Sequence, residues 1–179
     1  MSLLVPATPA HAASVSIVDF AFSPATAKAV QGDTVTWTNE GIATHTATQD
    51  GPLALWDSHA IVPGDTFDVR LPAAGSYPYH CTVHGMPATV RIPLIVDQTT
   101  GTTATVFTFT LASENQYGFR YDVQKKVNGD WKDWKVGVTG PKVQFQAAKA
   151  GTMWFRSRLR RLSDDAATDW SPKTKIVVS

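Results

Sequence analysis

Short runs in which apolar and polar residues alternate recur along the whole chain, separated by glycine, proline, asparagine and aspartate. A period of two residues is that of a strand with one buried face, and no stretch keeps a helical period beyond about two turns. Because many short strands between turn residues are typical of sandwiches, the pattern predicts an all-β protein. The clearest runs are Val15–Ile17, Thr34–Trp37, Thr66–Val69, Val90–Ile92 and Thr105–Phe109.

The chain has 179 residues, which is enough for two small domains. A polar stretch with one glycine, residues 98–104, predicts a linker between them. We therefore predict a β-sandwich at 13–97 and a second one at 105–179. Residues 13–97 hold three basic and eight acidic side chains, whereas 98–179 hold thirteen basic and seven acidic ones. This asymmetry indicates two modules with different surfaces.

The first twelve residues are interpreted either as the remnant of a secretory signal or as a disordered tail rich in alanine and proline. Ala10-His11-Ala12 has the A-x-A form of a cleavage site, although a positively charged leading segment is missing. The first interpretation predicts an exported protein: periplasmic, cell-surface or secreted. The chain contains no apolar run of 18 or more residues, so the sequence predicts no membrane span.

The candidate chemistry lies around a single cysteine. Cys81, His84 and Met86 lie within six residues of one another, and His45 lies upstream. Thiolate and thioether ligands favour Cu(I), while imidazole suits both oxidation states of copper. One thiolate, two imidazoles and a thioether are therefore the ligand set of a blue-copper electron-transfer site.

The spacing of these residues fits a strand that runs into a tight loop. The alternation of Tyr77, Tyr79 and Cys81 predicts that these three side chains share one face of a strand. Gly85 is a turn residue, so His84 can return to the same metal ion as Cys81. His45 must come from the end of a different strand.

Other interpretations stay open from the residues alone. A lone cysteine is often a small buried hydrophobe, and a lone histidine is often a surface or core residue. Cys81 and His84 have the Cys-x-x-His spacing that is also half of a zinc site, although zinc requires further ligands and the chain has no second cysteine. The proximity of Met86 favours copper over these alternatives.

Residues 14–97 resemble the cupredoxins, and specifically the plastocyanin/amicyanin-like small blue-copper proteins. The resemblance implies a Greek-key β-sandwich that holds one type 1 copper ion, with His45, Cys81 and His84 as equatorial ligands and Met86 as the axial ligand. The stretches that match, in order, are Val15–Pro24, Gly32–Asn39, Pro63–Phe67 and Pro72–Cys81.

The chain departs from the family pattern in the ligand loop. Only Gly85 separates His84 from Met86, so the loop is shorter than the common forms, and Met86 is expected to bind at an altered distance or angle, or not to bind. The family often has a polar residue after the first histidine that supports the cysteine loop. Here this residue is Thr46, and a hydroxyl group would serve. His59 and His80 are expected on the surface.

Residues 104–179 resemble a fibronectin type III-like β-sandwich, in which the first strand is short or absent. Its longest strand places Trp154 and three arginines on one face, which predicts a strongly basic surface. That surface is expected either to bind an acidic polymer or cell-surface partner, or to form a ladder of stacked arginine and tryptophan side chains. The stretches that carry the resemblance are Phe119–Lys126, Trp131, Trp134, Gly151–Arg160 and Trp170–Pro172.

Together these features predict an exported blue-copper electron-transfer protein that exchanges electrons with one or more redox partner proteins. Two alternatives stay open: a copper storage or delivery protein without redox turnover, and an adhesive or scaffold protein that binds through its basic module. We do not expect an enzyme, because a copper oxidase or nitrite reductase needs additional histidine-rich copper sites and the chain has five histidines. No nucleic-acid-binding motif is present, so nucleic acid is not an expected partner.

Overall fold

The computed structural model describes residues 13–179, so the interpreted signal remnant at 1–12 lies outside the described residues. Throughout residues 13–179 the regular elements are β-strands, which confirms the predicted all-β class. Among the same residues there is no helix long and apolar enough to cross a membrane.

The first eight strands are β1 Ala13–Val18, β2 Ala21–Ser23, β3 Thr26–Lys28, β4 Thr34–Asn39, β5 Thr48–Gln49, β6 Thr66–Arg70, β7 Gly75–His80 and β8 Pro87–Ile92. The next eight are β9 Ile95–Val96, β10 Thr100–Gly101, β11 Val106–Thr110, β12 Phe119–Val127, β13 Asp130–Val138, β14 Lys142–Gln146, β15 Gly151–Arg161 and β16 Thr174–Val178.

Strands β1 to β8 form two four-stranded sheets with the orders β2-β1-β4-β6 and β3-β8-β7-β5. Most neighbours are antiparallel, but β1 runs parallel to β4 and β3 runs parallel to β8. The two strands of each parallel pair are not consecutive in sequence: β2 and β3 lie between β1 and β4, and β4 to β7 lie between β3 and β8. The ends of β4 and β7 lead into the segments that carry His45 and Cys81.

The core of this first sandwich follows the alternation that the sequence predicts. On β4, Val35, Trp37 and Asn39 are buried, and on β7 the buried residues include Tyr77 and Tyr79. The rings of Trp37 and Tyr79 pack edge to face with centroids 5.3 Å apart. Aromatic pairs of this kind add to the stabilisation that comes from burying their area. Cys81 therefore directly follows a strand whose inner face is packed with large aromatic side chains.

The second half of the chain forms a three-stranded sheet, β14-β11-β9, and a five-stranded sheet, β10-β16-β15-β12-β13. Their inner faces enclose a second core around four aromatic rings. Phe155 of β15 lies at its centre, with ring centroids 4.5 Å from Phe109, 5.0 Å from Phe145 and 5.4 Å from Trp134. The arrangement is that of a two-sheet sandwich, as the sequence predicts.

The polar stretch at 98–104, predicted as a linker, contributes a strand to the second sandwich. Thr100 and Gly101 form β10, which pairs in parallel with Val177 and Val178 of β16. Just before it, β9 pairs with β11, so residues 95–96 also belong to a sheet of the second sandwich. Backbone hydrogen bonding requires no apolar side chains, so a strand two residues long leaves no pattern in the sequence.

The two sandwiches share an extensive interface. Leu53, Ala73 and Ala74, which precede the second sandwich in sequence, are part of its buried core. Leu55 packs against both cores, and Trp56 belongs to the first. The loop between β5 and β6 therefore inserts apolar side chains into both halves.

Hydrogen bonds cross the same interface. The side-chain amide of Gln31 donates to the carbonyl of Thr110 at 2.7 Å, and the N–H of Ala74 donates to the carbonyl of Leu111 at 2.9 Å. These contacts are largely buried, so separating the halves would leave polar groups without partners.

Replacing Phe155 by alanine removes the ring at the centre of the second core. We expect the free energy of unfolding to fall by about 3–5 kcal/mol, since truncation of a buried phenylalanine leaves a cavity that the surroundings fill only in part. Urea denaturation followed by tryptophan fluorescence measures the change. The control is Val136→Ala, at a side chain that is 61% exposed, which should change stability by less than about 0.5 kcal/mol. Equal effects of the two substitutions would contradict this account of the core.

Candidate metal centre

His45 lies in the connection that follows β4, and buried Asn39 organises that connection. The Asn39 amide nitrogen donates to the carbonyls of Ala43 and Ile61, each at 2.8 Å, and its oxygen accepts from the N–H of Gly41 at 3.0 Å. The backbone of His45 exchanges hydrogen bonds with that of Ile61, at 3.1 and 2.8 Å. As a result the His45 imidazole is held in the interior, with a side chain only 1% exposed.

Cys81 follows β7 directly and opens the loop that carries His84 and Met86. The N–H of Cys81 donates to the carbonyl of Met86 at 3.0 Å, and the N–H of Gly85 donates to the carbonyl of Cys81 at 2.8 Å. Gly85 has φ +67°, a backbone region that glycine enters at little cost. The loop therefore closes on itself, which is how His84 returns toward Cys81, as predicted from the turn residue.

Thr46 joins the segment of His45 to the segment of Cys81. Its hydroxyl accepts a hydrogen bond from the N–H of Thr82 at 2.9 Å and lies 3.1 Å from the Thr82 hydroxyl. Its own N–H points to the sulfur of Cys81 at 3.4 Å. The expected support of the cysteine loop by a hydroxyl is thus present in the structure.

The three predicted equatorial ligands converge. Nδ1 of His45 lies 3.1 Å from Nδ1 of His84, and the Cys81 sulfur lies 3.8 Å from the first and 3.6 Å from the second. The three form the one cluster of three such groups within residues 13–179 that could hold a metal ion. Cys81 and His45 are buried, and His84 is the least buried of the three.

The size of this triangle fits a metal ion. The point equidistant from the three donor atoms lies roughly 2.0 Å from each of them, close to the bond lengths of about 2.0–2.3 Å that metals form with imidazole and thiolate. Two imidazoles and one thiolate around such a point form a trigonal arrangement, which is the geometry of blue-copper sites. The donor set and its spacing are therefore suited to copper.

Met86 is buried beside Cys81 in the first core, with a residue exposure of 6%. Its backbone carbonyl is fixed by the N–H of Cys81, so the residue is anchored next to the three donors. The position of the thioether as an axial ligand stays a prediction.

The two other described histidines have acidic partners elsewhere. Nδ1 of His80 lies 2.5 Å from Asp50, on the opposite face of β7 from the buried tyrosines. His59, with a side chain that is 89% exposed, lies 3.8 Å from Asp57. Both were expected on the surface; His59 is highly exposed, and His80 is partly exposed.

Two residues that were not predicted from the sequence contact the candidate ligands. Asp19 and Phe20 form the two-residue turn between β1 and β2, where Val18 pairs with Ala21. The Asp19 carboxylate lies 3.6 Å from Nε2 of His45, and the ring of Phe20 packs edge-on against His84 with centroids 5.9 Å apart. Asp19 and Phe20 belong to no ligand motif, so no signal in the sequence indicated these contacts.

The basic face of the second sandwich forms an Arg–Trp ladder that consists of Trp131, Arg156, Trp170 and Arg158. The Arg156 guanidinium lies 4.3 Å from the Trp131 ring and 4.9 Å from the Trp170 ring, while that of Arg158 lies 4.6 Å from the Trp170 ring. Buried Asp122 pairs with Arg158 at 3.0 Å. The stacking that the sequence analysis considered is thus present, and an acidic partner stays a prediction.

No family model matches the chain. The solved structures similar to it include a purple cupredoxin from Nitrosopumilus maritimus, at 25% identity over 45% of this chain and 98% of that one, with a TM-score of 0.43. A mutant amicyanin in its reduced Cu(I) form is similar at 25% identity over 45% of this chain and 81% of that one, with a TM-score of 0.43. A copper-containing nitrite reductase from Thermus scotoductus is 21% identical over 51% of this chain, with a TM-score of 0.43, and the match spans 24% of that enzyme.

Replacing Thr46 by valine keeps the side-chain shape and removes the hydroxyl that joins the two ligand segments. We expect the free energy of unfolding to fall by about 1 kcal/mol, because the Thr82 N–H loses its acceptor, and we expect weaker copper binding. Chelator competition and denaturant unfolding measure the two effects. Thr108→Val, the same substitution on β11 of the second sandwich, is the control; if it weakened copper binding as much, the supporting role of Thr46 would be refuted.

Proposed function

We propose that this chain is an exported type 1 copper electron-transfer protein. One copper ion would be held by His45, Cys81 and His84, with Met86 as the axial ligand. The observation that carries this proposal is the triangle of donor atoms with sides of 3.1, 3.6 and 3.8 Å. When bound there, copper would supply a one-electron couple between Cu(I) and Cu(II).

The protein around the donors supports electron transfer because its hydrogen bonds hold the three donor residues in place. Asn39 holds the His45 segment, the closed loop holds Cys81 and His84, and Thr46 joins the two. A site with pre-set ligands changes little between oxidation states. Small reorganisation is what a rapid electron carrier requires.

The surface beside His84 supports docking of a redox partner protein. Phe20, Ile42 and Val83 are large apolar side chains that are 77%, 89% and 61% exposed. Phe20 packs on the His84 ring, Val83 precedes His84, and Ile42 donates its N–H to Asp19 in the same turn as Phe20. Exposed apolar patches mark interaction sites, so electrons would pass through His84 to a partner seated on this patch.

We propose no enzymatic role for this chain. Within residues 13–179 the group of three donors that could hold a metal ion is that of His45, Cys81 and His84, and neither His59 nor His80 belongs to it. Export is proposed on the A-x-A sequence at residues 10–12 alone.

For the second sandwich we propose a fibronectin type III-like class, supported by its division into three-stranded and five-stranded sheets. A supporting role for the Arg–Trp ladder accounts for its contacts. Both arginines stack on tryptophan rings, Arg156 also donates to the side-chain oxygen of Gln124, and Arg158 pairs with Asp122. The alternative is adhesion to an acidic polymer. Lys173, 4.5 Å from the Trp154 ring, and its neighbour Lys175 are the cations that favour this second role.

The visible and electron paramagnetic resonance spectra of the copper-loaded protein test the proposal. The wild type should be intensely coloured when oxidised and should bleach reversibly with a mild reductant, because a thiolate bound to Cu(II) gives a charge-transfer band. Cys81→Ser should lose that band while the fold is retained, as judged by far-ultraviolet circular dichroism. A band that persisted in this variant would exclude the thiolate as a ligand.

The axial ligand is tested by Met86→Leu, which keeps an apolar side chain of similar size at this buried position. We expect the reduction potential to rise, because leucine leaves the metal with one donor fewer and with apolar surroundings, which disfavour the more highly charged Cu(II). Protein-film voltammetry measures the shift, and Met153→Leu in the second sandwich is the matched control. A potential equal to that of the wild type would show that Met86 is not a ligand.

Copper storage or delivery is the remaining alternative, and its kinetics differ from those of a carrier. A delivery protein passes Cu(I) to a soluble chelator and does not cycle. A carrier retains copper through repeated oxidation and reduction, so copper retention after many cycles decides between the two.

A further inference from the structure

The two-residue turn between β1 and β2 contacts both candidate imidazoles. Asp19 lies 3.6 Å from Nε2 of His45, and Phe20 lies against the ring of His84. Nε2 of His45 is buried and has no hydrogen-bond partner among the residues that the structure describes. A buried polar atom of this kind calls for an acceptor close by.

The Asp19 carboxylate is itself held in place. Its Oδ1 accepts from the N–H of Ile42 at 3.0 Å and from that of Ala43 at 3.2 Å. The Ala43 N–H, together with that of Ile42, holds the pKa of the Asp19 carboxyl below its ordinary value. The carboxylate is therefore fixed against the loop that leads to His45.

Gly41 makes this position possible. A Cβ atom on Gly41 would lie 2.5 Å from Oδ1 of Asp19 and 3.1 Å from its backbone nitrogen. Any larger residue at 41 would displace the carboxylate or the turn. Since Gly41 has no positive φ, its small size is what the contact needs.

The tautomer of His45 determines which of its ring nitrogens can bind a metal ion and which one faces Asp19 with a proton. Nδ1 of His45 faces the other donors, so a metal on Nδ1 leaves the ring proton on Nε2. Histidine ligands commonly donate this second proton to a carboxylate, which fixes the ring and strengthens the ligand. Asp19 lies just beyond hydrogen-bond distance of that proton.

The geometry points to Asp19 as a positioning residue that accepts a hydrogen bond from Nε2 of His45 when Nδ1 binds copper, in a carboxylate–histidine–metal arrangement. This inference rests on the proposed copper site. Gly41 provides the space for the carboxylate. The same turn covers His84 with Phe20, so one dipeptide orients both imidazoles.

Asp19→Asn tests the inference: the asparagine oxygen can still accept from Ile42 and Ala43, but it is a neutral and therefore weaker acceptor for Nε2 of His45. We expect Cu(II) binding, measured by chelator competition, to weaken by about 10-fold, the lower end of the usual cost of changing such a partner. Gly41→Ala should weaken binding in the same direction without changing Asp19 or any ligand. Asp97→Asn, which removes a carboxylate that accepts from Thr108 in the second sandwich, should leave the affinity unchanged.

A spectroscopic measurement separates positioning from a general loss of stability. In the Zn²⁺-loaded wild type, long-range ¹⁵N–¹H NMR should show the His45 proton on Nε2, exchanging slowly with water, and in Asp19→Asn this exchange should accelerate. A wild type whose Nε2 proton exchanges rapidly would overturn the inference even if a variant failed to fold. If the wild type binds Cu(II) and both variants bind as tightly as Asp97→Asn, the inference alone fails. A wild type that binds no copper would overturn the proposed function as well.

Discussion

The Thr46 hydroxyl joins the two chain segments that hold the three candidate ligands. One segment ends with His45 after β4, and the other begins with Cys81 after β7. Because Thr46 accepts from the N–H of Thr82, the segments keep a fixed separation at the end of the sandwich. The donor triangle follows from this link and from the closed loop of Gly85. A binding site made of separate segments depends on such ties to bring its ligands together.

The sequence was most informative where the chemistry is local. Cys81, His84 and the turn at Gly85 lie within five residues, so spacing alone predicts their approach. His45 was a candidate ligand by its residue type, but spacing could not predict its approach to Cys81, because the pairing of distant strands brings it to the site. Asp19 could not be predicted, since only the folded turn between β1 and β2 shows which histidine it meets.

The same distinction holds for the strands: those with a local sequence pattern were predicted, and those defined by pairing with distant residues were not. Alternation predicted the long strands and the face that each one buries, as β4 and β7 show. The edge strands β9 and β10 were missed, because each has two residues and is defined by hydrogen bonds to distant strands. Polar composition at 98–104 indicated a linker, but backbone pairing depends little on composition.

The loop between β5 and β6 bears on how such a chain could arise or be rearranged. Leu53 lies in one core, Trp56 in the other, and Leu55 touches both. A recombination event that moved either half to another gene would carry half of a shared apolar surface with it. The two sandwiches therefore depend on each other for part of their cores.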